Sequence, residues 1–289
     1  MSAVSVTSRI AAIQMTSGDL AGENLARARR LLAEAREAGA VVAVLPENLG
    51  FMGRRDADKL AVAEEPGDGP MQAALAAAAR ELGLWIVAGT LPLRRVGESR
   101  VAAASLVFDA TGCIVARYDK MHLFDVDVPD NPGESYRESA HIAPGTAPVV
   151  VDTPVGRLGL SVCYDLRFPE LYRALVQQGA TWLAVPAAFT VPTGRAHWET
   201  LLRARAIENL ALVVAAGQSG VHPSGRETYG DSMIVDHWGR VLARLPQGEG
   251  VVIADLDLPG QQAARAAFPV LAHRRDIDTL RIWHERNTP

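Results

Sequence analysis

Three strand-like segments in this chain each end on a chemically different polar side chain. Val41-Val-Ala-Val-Leu-Pro-Glu47 delivers a carboxylate, Ala116-Arg-Tyr-Asp-Lys120 an ammonium, and Arg157-Leu-Gly-Leu-Ser-Val-Cys163 a thiol. The first and third, being largely apolar, read as buried strands, and the second as the end of another strand. Open α/β sheets keep their sites at the carboxyl ends of strands, so the repeated construction predicts an α/β chain whose site is gathered from distant segments.

After the thiol, Phe168-Pro-Glu-Leu-Tyr-Arg-Ala-Leu-Val-Gln-Gln-Gly179 reads as a helix, with Pro169 in its first turn and Gly179 at its end. A thiol at that junction is expected to lie near helix amide dipoles, which lower its pKa and offer N–H donors to an anion. A lone cysteine is equally a small core hydrophobe, so Cys163 alone decides nothing. Glu47 and Lys120 supply what a thiol lacks for attack on an amide or nitrile carbon. Glu47 can take the thiol proton and pass it to departing ammonia. Lys120 can stabilise the oxyanion, with the backbone N–H of Tyr164 as a second donor. A thioester on Cys163 then awaits a water activated by Glu47.

In these residues the chain resembles the nitrilase superfamily of carbon–nitrogen hydrolases. The matching pieces are Leu45-Pro-Glu47-Asn, Tyr118-Asp-Lys120-Met-His-Leu-Phe-Asp125 and Gly159-Leu-Ser-Val-Cys163-Tyr-Asp-Leu-Arg-Phe-Pro-Glu170, within a likeness running from Ile10 to about Asp257. The resemblance implies an α-β-β-α sandwich, a Glu-Lys-Cys triad and assembly into a homodimer or higher homo-oligomer. It also implies that Glu138, in Tyr136-Arg-Glu138-Ser139, is a second acid that holds Lys120 charged and orients the bound amide or attacking water.

The stretches Thr193-Gly-Arg-Ala-His-Trp-Glu199 and Tyr229-Gly-Asp-Ser-Met-Ile-Val-Asp-His-Trp-Gly239 are similar to a narrower branch, the deaminated-glutathione amidases and omega-amidases. That likeness implies hydrolysis of a side-chain amide on a small acidic 2-oxo compound to acid and ammonia, with deaminated glutathione favoured. Alternatives are 2-oxoglutaramate, an N-carbamoyl amino acid, or a non-catalytic scaffold of the same fold. Two departures stand out. Alanines follow Arg100-Val where the branch commonly has an asparagine, and Ala187-Ala-Phe-Thr190 makes Thr190 a candidate to alter the pocket wall.

Other residues compete for roles. Arg167 suits a substrate carboxylate, or an ion pair with Asp165 and helix ends. Ser161 nearly completes a serine nucleophile elbow, but Cys163 stands where its last glycine belongs. Cys113, placed inside a strand after a Thr-Gly turn, is read as structural. None of the seven histidines has a neighbouring ligand at zinc-site spacing, and no phosphate-cradling glycine loop occurs, so no metal and no cofactor is implied.

Hydrophobic residues make up 48% and charged residues 21% of 289 residues, enough to bury a sizeable core. A formal net charge of -4 points away from nucleic acid and membrane surfaces, leaving a small-molecule amide as the expected partner. Two cysteines, with neither a leader-like start nor a long apolar span, predict a cytoplasmic enzyme. The absence of a low-complexity linker predicts one domain over 1–289 with two stacked sheets; given the assembly that the resemblance implies, the tail 264–289, with Phe268 and Trp283, is a candidate to cross a subunit boundary. Helices are expected over Asn24–Gly39, Met71–Leu82 and His197–Asn209, and a long turn-rich wall over Asp125–Gly145.

Overall fold

The computed structural model describes residues 9–127 and 135–275. The chain opens with β1 (Arg9–Gln14), α1 (Ala21–Glu37) and β2 (Val42–Leu45), followed by α2 (Pro70–Leu82) and β3 (Trp85–Ala88). Then come β4 (Leu91–Leu93), β5 (Ala102–Phe108) and β6 (Ile114–Asp119), and a small hairpin of β7 (Asp125–Asp127) with β8 (Ser135–Arg137). The second half runs β9 (Val150–Thr153), β10 (Gly156–Leu160), α3 (Pro169–Gln177), β11 (Trp182–Ala187), α4 (Val191–Asn209) and β12 (Leu212–Gly217). It closes with the hairpin β13 (Ser219–Val221) and β14 (Glu227–Tyr229), β15 (Ser232–Val235), β16 (Val241–Leu245), β17 (Gly250–Asp255) and α5 (Leu258–Ala267).

Two sheets form. One is ordered β17-β1-β2-β3-β5-β4 with β6 on β5, and the other β16-β15-β12-β11-β10-β9. Period-2 alternation explains their stacking. Ile10, Ala12, Val42 and Val44 join a core shared with Leu158, Leu160 and Val213 of the second sheet. Their neighbours Ala11, Ile13, Ala43 and Leu45 pack instead with Leu31 and Leu32 of α1 and Leu75 and Ala79 of α2. On the far side, Tyr172 and Leu175 of α3 and Trp198 and Leu202 of α4 cover the second sheet. The architecture is therefore the α-β-β-α sandwich of the nitrilase type.

Several local expectations are corrected. The fourth long helix begins at Val191, not His197. Pro192 sits in its first turn, where a missing N–H costs nothing, and Gly194 lies so close to Tyr229 that a Cβ would be 2.2 Å from its ring. The Asp125–Gly145 wall contains β7, β8 and a 3-10 turn at Glu138–Ala140, with 128–134 outside the described residues. Cys113 precedes β6 and is exposed. Of the proposed tail, 276–289 lies outside the described residues; α5 and Phe268 lie within them. Among the described residues, no helix is long and apolar enough to cross a membrane.

Candidate active site

Glu47, Lys120 and Cys163 meet at one end of the stacked sheets. β2 stops at Leu45 and Pro46 turns the chain, leaving Glu47 buried. The approach is tight, because a Cβ on Gly89 would lie 1.8 Å from the Pro46 carbonyl oxygen. Lys120 follows β6 and is 1% exposed; its own N–H donates to the Ala103 carbonyl at 3.0 Å. Its Nζ donates to Glu47 Oε1 at 2.8 Å and to both oxygens of Glu138, at 2.9 and 2.8 Å. Glu138 is fixed further by the Phe124 N–H at 2.7 Å.

Cys163 opens a 3-10 turn, Cys163–Arg167, with φ at +49°. This left-handed conformation is uncommon outside glycine and marks a position held by its surroundings. Asn48, next to Glu47, has φ at +58°. The agent that holds the turn is Asp165, fully buried beneath the site. Its Oδ2 accepts from Tyr118 Oη at 2.7 Å and from the Val162 N–H at 2.8 Å; its Oδ1 accepts from the His122 N–H at 3.0 Å and contacts His122 Nδ1 at 2.7 Å. One carboxylate thus ties the residues flanking Lys120 to those flanking Cys163. Arg205 of α4 caps the same turn through the Leu166 carbonyl, at 3.0 and 2.8 Å.

The electrostatics follow from burial and this charge pattern. Burial raises the Glu47 carboxyl, but the charge and hydrogen bond of Lys120 outweigh it and hold Glu47 below its ordinary range. Burial lowers Lys120, yet Glu138, Glu47 and Cys163 keep it well above a free lysine. Burial, then the Glu47 charge, push the Cys163 thiol up by more than Lys120 draws it down. The expected helix-dipole activation is therefore corrected. α3 starts only at Pro169, and a buried thiol beside an ionised carboxylate stays protonated. The resting arrangement is a neutral thiol hydrogen-bonded to the Glu47 carboxylate.

A pocket opens over these groups. Tyr164, Arg167 and Thr190 all line it. Phe124 packs against Tyr136 and Tyr164, each with ring centres 5.1 Å away, to build an aromatic wall. Arg167 does not pair with Asp165. Its guanidinium lies over Tyr164 and Phe189, at 5.8 and 5.3 Å, and its Nη1 is 3.2 Å from His197 Nδ1. Thr190 is buried at the head of α4, where its hydroxyl meets that of Thr193 at 2.8 Å. Ser161 is not presented to the pocket; its hydroxyl is held by Tyr172 Oη and the Ala184 carbonyl, both at 2.8 Å.

Lys59 and Arg226 also line the pocket, and no pattern in the chain marks them. Lys59 arrives on a short 3-10 turn, Asp56–Leu60, and Arg226 on the bend between β13 and β14. The run Ser224-Gly225-Arg226 signals a turn, but not what the turn faces.

Comparison with known proteins accords with this geometry. Residues 9–266 match the carbon–nitrogen hydrolase family. A protein of Yersinia enterocolitica named deaminated glutathione amidase is 42% identical over 272 residues, 94% of each chain. The crystal structure of the C. elegans NitFhit protein superposes with a TM-score of 0.86 at 39% identity, over 93% of this chain and 66% of that longer one. A mutant amidase from Nesterenkonia sp. AN1, showing the result of Michael addition of acrylamide at its active site cysteine, has a TM-score of 0.75 at 30% identity, over 90% of this chain and 98% of that one. With a family match spanning nearly the whole chain, the protein belongs to the carbon–nitrogen hydrolase family and hydrolyses carbon–nitrogen bonds.

Proposed function

We propose that this chain hydrolyses the 2-oxo acyl amide of deaminated glutathione, acting as a single-domain, cofactor-independent amidase with Cys163 as nucleophile, Glu47 as base and acid, and Lys120 and Glu138 beside them. The observation that carries the chemistry is the shared ammonium, with Lys120 Nζ within 2.9 Å of both Glu47 and Glu138 next to a buried thiol. The substrate class rests on the relative's name and on Arg167, whose guanidinium faces the pocket with no carboxylate partner among the described residues.

In the reaction, Glu47 takes the Cys163 proton as sulfur bonds to the amide carbon, and the carbonyl π electrons move onto oxygen. Lys120 stabilises that oxyanion, with the Tyr164 N–H as second donor. The oxyanion re-forms the carbonyl, the C–N bond breaks and Glu47 returns its proton to the departing nitrogen. A primary amide releases ammonia, whereas deaminated glutathione, an N-substituted amide, releases cysteinylglycine. Water, deprotonated by Glu47, then attacks the thioester, and sulfur leaves and is reprotonated. Glu138 keeps Lys120 charged throughout and orients the amide or water.

The exposed free thiol of Cys113 supports residence in a reducing compartment, and we assign the enzyme to the cytoplasm. The exposed apolar residues Trp238, Leu242 and Phe268 support a homodimer or larger homo-oligomer. Steady-state turnover of deaminated glutathione, 2-oxoglutaramate, N-carbamoyl-β-alanine and simple nitriles tests the substrate reading. The 2-oxo amides rank first, with deaminated glutathione highest in kcat/KM. A carbamoyl compound or nitrile ranking above both overturns the substrate reading and leaves the thiol chemistry standing.

A further inference from the structure

A second cleft opens directly off the catalytic pocket. The two share Asn48, Asp56, Lys59, Tyr136 and Arg226, so a molecule seated over Cys163 can continue into the outer cleft without leaving the protein surface. Release of ammonia requires no such space. A substrate whose amide nitrogen carries a further chain does.

Arg226 stands at the junction. Its Nη2 donates to the Ala188 carbonyl, and the N–H of Ala188 is directed at the Cys163 sulfur, so the guanidinium reaches the strand end that contacts the nucleophile. Its plane is set by the Tyr136 ring, 4.8 Å from the guanidinium carbon. Its Nε is buried and has no hydrogen-bond partner among the described residues. A buried, charged donor without a partner is costly, and the usual remedy is an acceptor brought by a ligand.

The charge pattern points the same way. Arg54 and Arg55, on the outer rim, are each neutralised by a carboxylate at 2.9 Å, Asp19 and Asp58 respectively. Lys59 and Arg226, where the cavities meet, have no carboxylate partner among the described residues. Lys120, deeper in, is already shared by two carboxylates. With Lys59 and Arg226 against the one shared carboxylate, Asp56, the junction keeps a net positive charge that suits an anionic group on the leaving side of the scissile bond.

We propose that Arg226, with Lys59, forms a leaving-group subsite that takes the carboxylate-bearing peptide amine of the substrate, while Arg167 faces the acyl half. This rests on the 2-oxo amide reading of the previous subsection. The subsite makes the enzyme selective for N-substituted amides that end in a carboxylate, such as those releasing a dipeptide, over primary amides of the same acid.

Deaminated glutathione and 2-oxoglutaramate share their acyl half and pass through the same thioester, so they differ only in the group that departs. In Arg226→Gln, which keeps a donor for the Ala188 carbonyl but removes the charge, the ratio of kcat/KM for the first substrate to that for the second should fall on the order of tenfold or more. Arg226→Lys should restore part of that ratio. Cysteinylglycine, added as product, should inhibit wild-type turnover of 2-oxoglutaramate, and its Ki should rise by about the same factor in Arg226→Gln. An unchanged ratio with an unchanged Ki overturns the subsite and leaves the proposed function intact. A wild-type enzyme inert toward both 2-oxo amides overturns the proposed function, and the subsite with it.

Discussion

Tyr118 donates its phenolic hydrogen to Asp165 across 2.7 Å, joining segments 47 residues apart in the chain. Tyr118 lies two residues before Lys120 and Asp165 two after Cys163, so this bond and its companions to His122 and Val162 set the distance between ammonium and thiol. Asp165→Asn replaces an acceptor-only group with one whose amide N–H must face a backbone N–H, that of Val162 or of His122, donor to donor. It should lose about 2–4 kcal/mol of stability. At a temperature where the variant is fully folded, kcat should fall more than KM rises. An unchanged kcat in the folded variant would show that the triad keeps its geometry without this carboxylate.

Cys163→Ala should abolish turnover while the protein remains folded, and Glu47→Gln should lower kcat by about a hundredfold or more, since an amide cannot accept the thiol proton. Mass spectrometry of the wild-type protein after brief exposure to substrate should detect the acyl adduct on Cys163. An adduct on Cys113 instead would assign the wrong thiol. Cys113→Ala should leave kcat/KM within about twofold, because Cys113 is exposed and outside the pocket lining.

Lys120→Ala leaves two carboxylates, Glu47 and Glu138, buried without their shared cation. Burial and mutual repulsion then raise the pKa of at least one of them above its unfolded value. A raised carboxyl pKa favours folding only while the proton is bound, so the variant should be destabilised more at pH 8 than at pH 5, by up to about 3–5 kcal/mol. Thermal unfolding at both pH values reads this directly; equal losses would refute it. Glu138→Gln should keep most of its stability but lower kcat on the order of tenfold, because the undivided Lys120 charge makes Glu47 a weaker base.

The wild-type profile should be flat across neutral pH. Glu47, depressed from 4.5, contributes stability that is complete above about 4.5 and lost as pH falls through its lower folded value. Lys120, raised above 10.5, contributes stability that is complete below about 10.5 and lost only as pH rises through its folded value. The Cys163 thiol, pushed up from 9.0 by burial and Glu47, contributes stability that is complete below about 9 and is lost as pH rises above it. His222, depressed by burial from 6.5, adds stability that is complete above about 6.5 and lost as pH falls through its folded value. Thus kcat/KM should hold level from about pH 6 to 9, while Tm begins to decline below about 6.5. An alkaline rise in kcat/KM near neutral pH would mean that thiolate, not thiol, is the reacting form.

The apolar strands were legible because buried strands need continuous Val, Ile, Leu and Ala. β2, β11 and β12 lie where such runs predict them. The strand-end position of Glu47 followed from such a run, whereas β6 before Lys120 carries Arg117 and Asp119 and has a single buried residue, Tyr118. The first turn of α4 was not legible, since Val191-Pro-Thr-Gly194 carries turn residues whose fit depends on Tyr229 across the fold. The β7–β8 hairpin is short and largely solvent-facing, so it leaves no periodic trace. The protonation of Cys163 depends on burial and on Glu47, 116 positions away by residue number, and a local reading at a strand-to-helix junction suggests the opposite. Arg226 enters the pocket only because sheet order places the β13–β14 bend over it.

The left-handed backbone of Cys163 sets the nucleophile against the durability of the protein that carries it. At φ +49° a side chain of any kind is strained, and glycine alone is at ease. Cys163→Gly should therefore unfold at a temperature no lower than Cys163→Ala, even though it removes one more carbon from a buried position. Selection acting on persistence alone would remove the reactive side chain, so the strained thiol is retained as a liability that only turnover can justify.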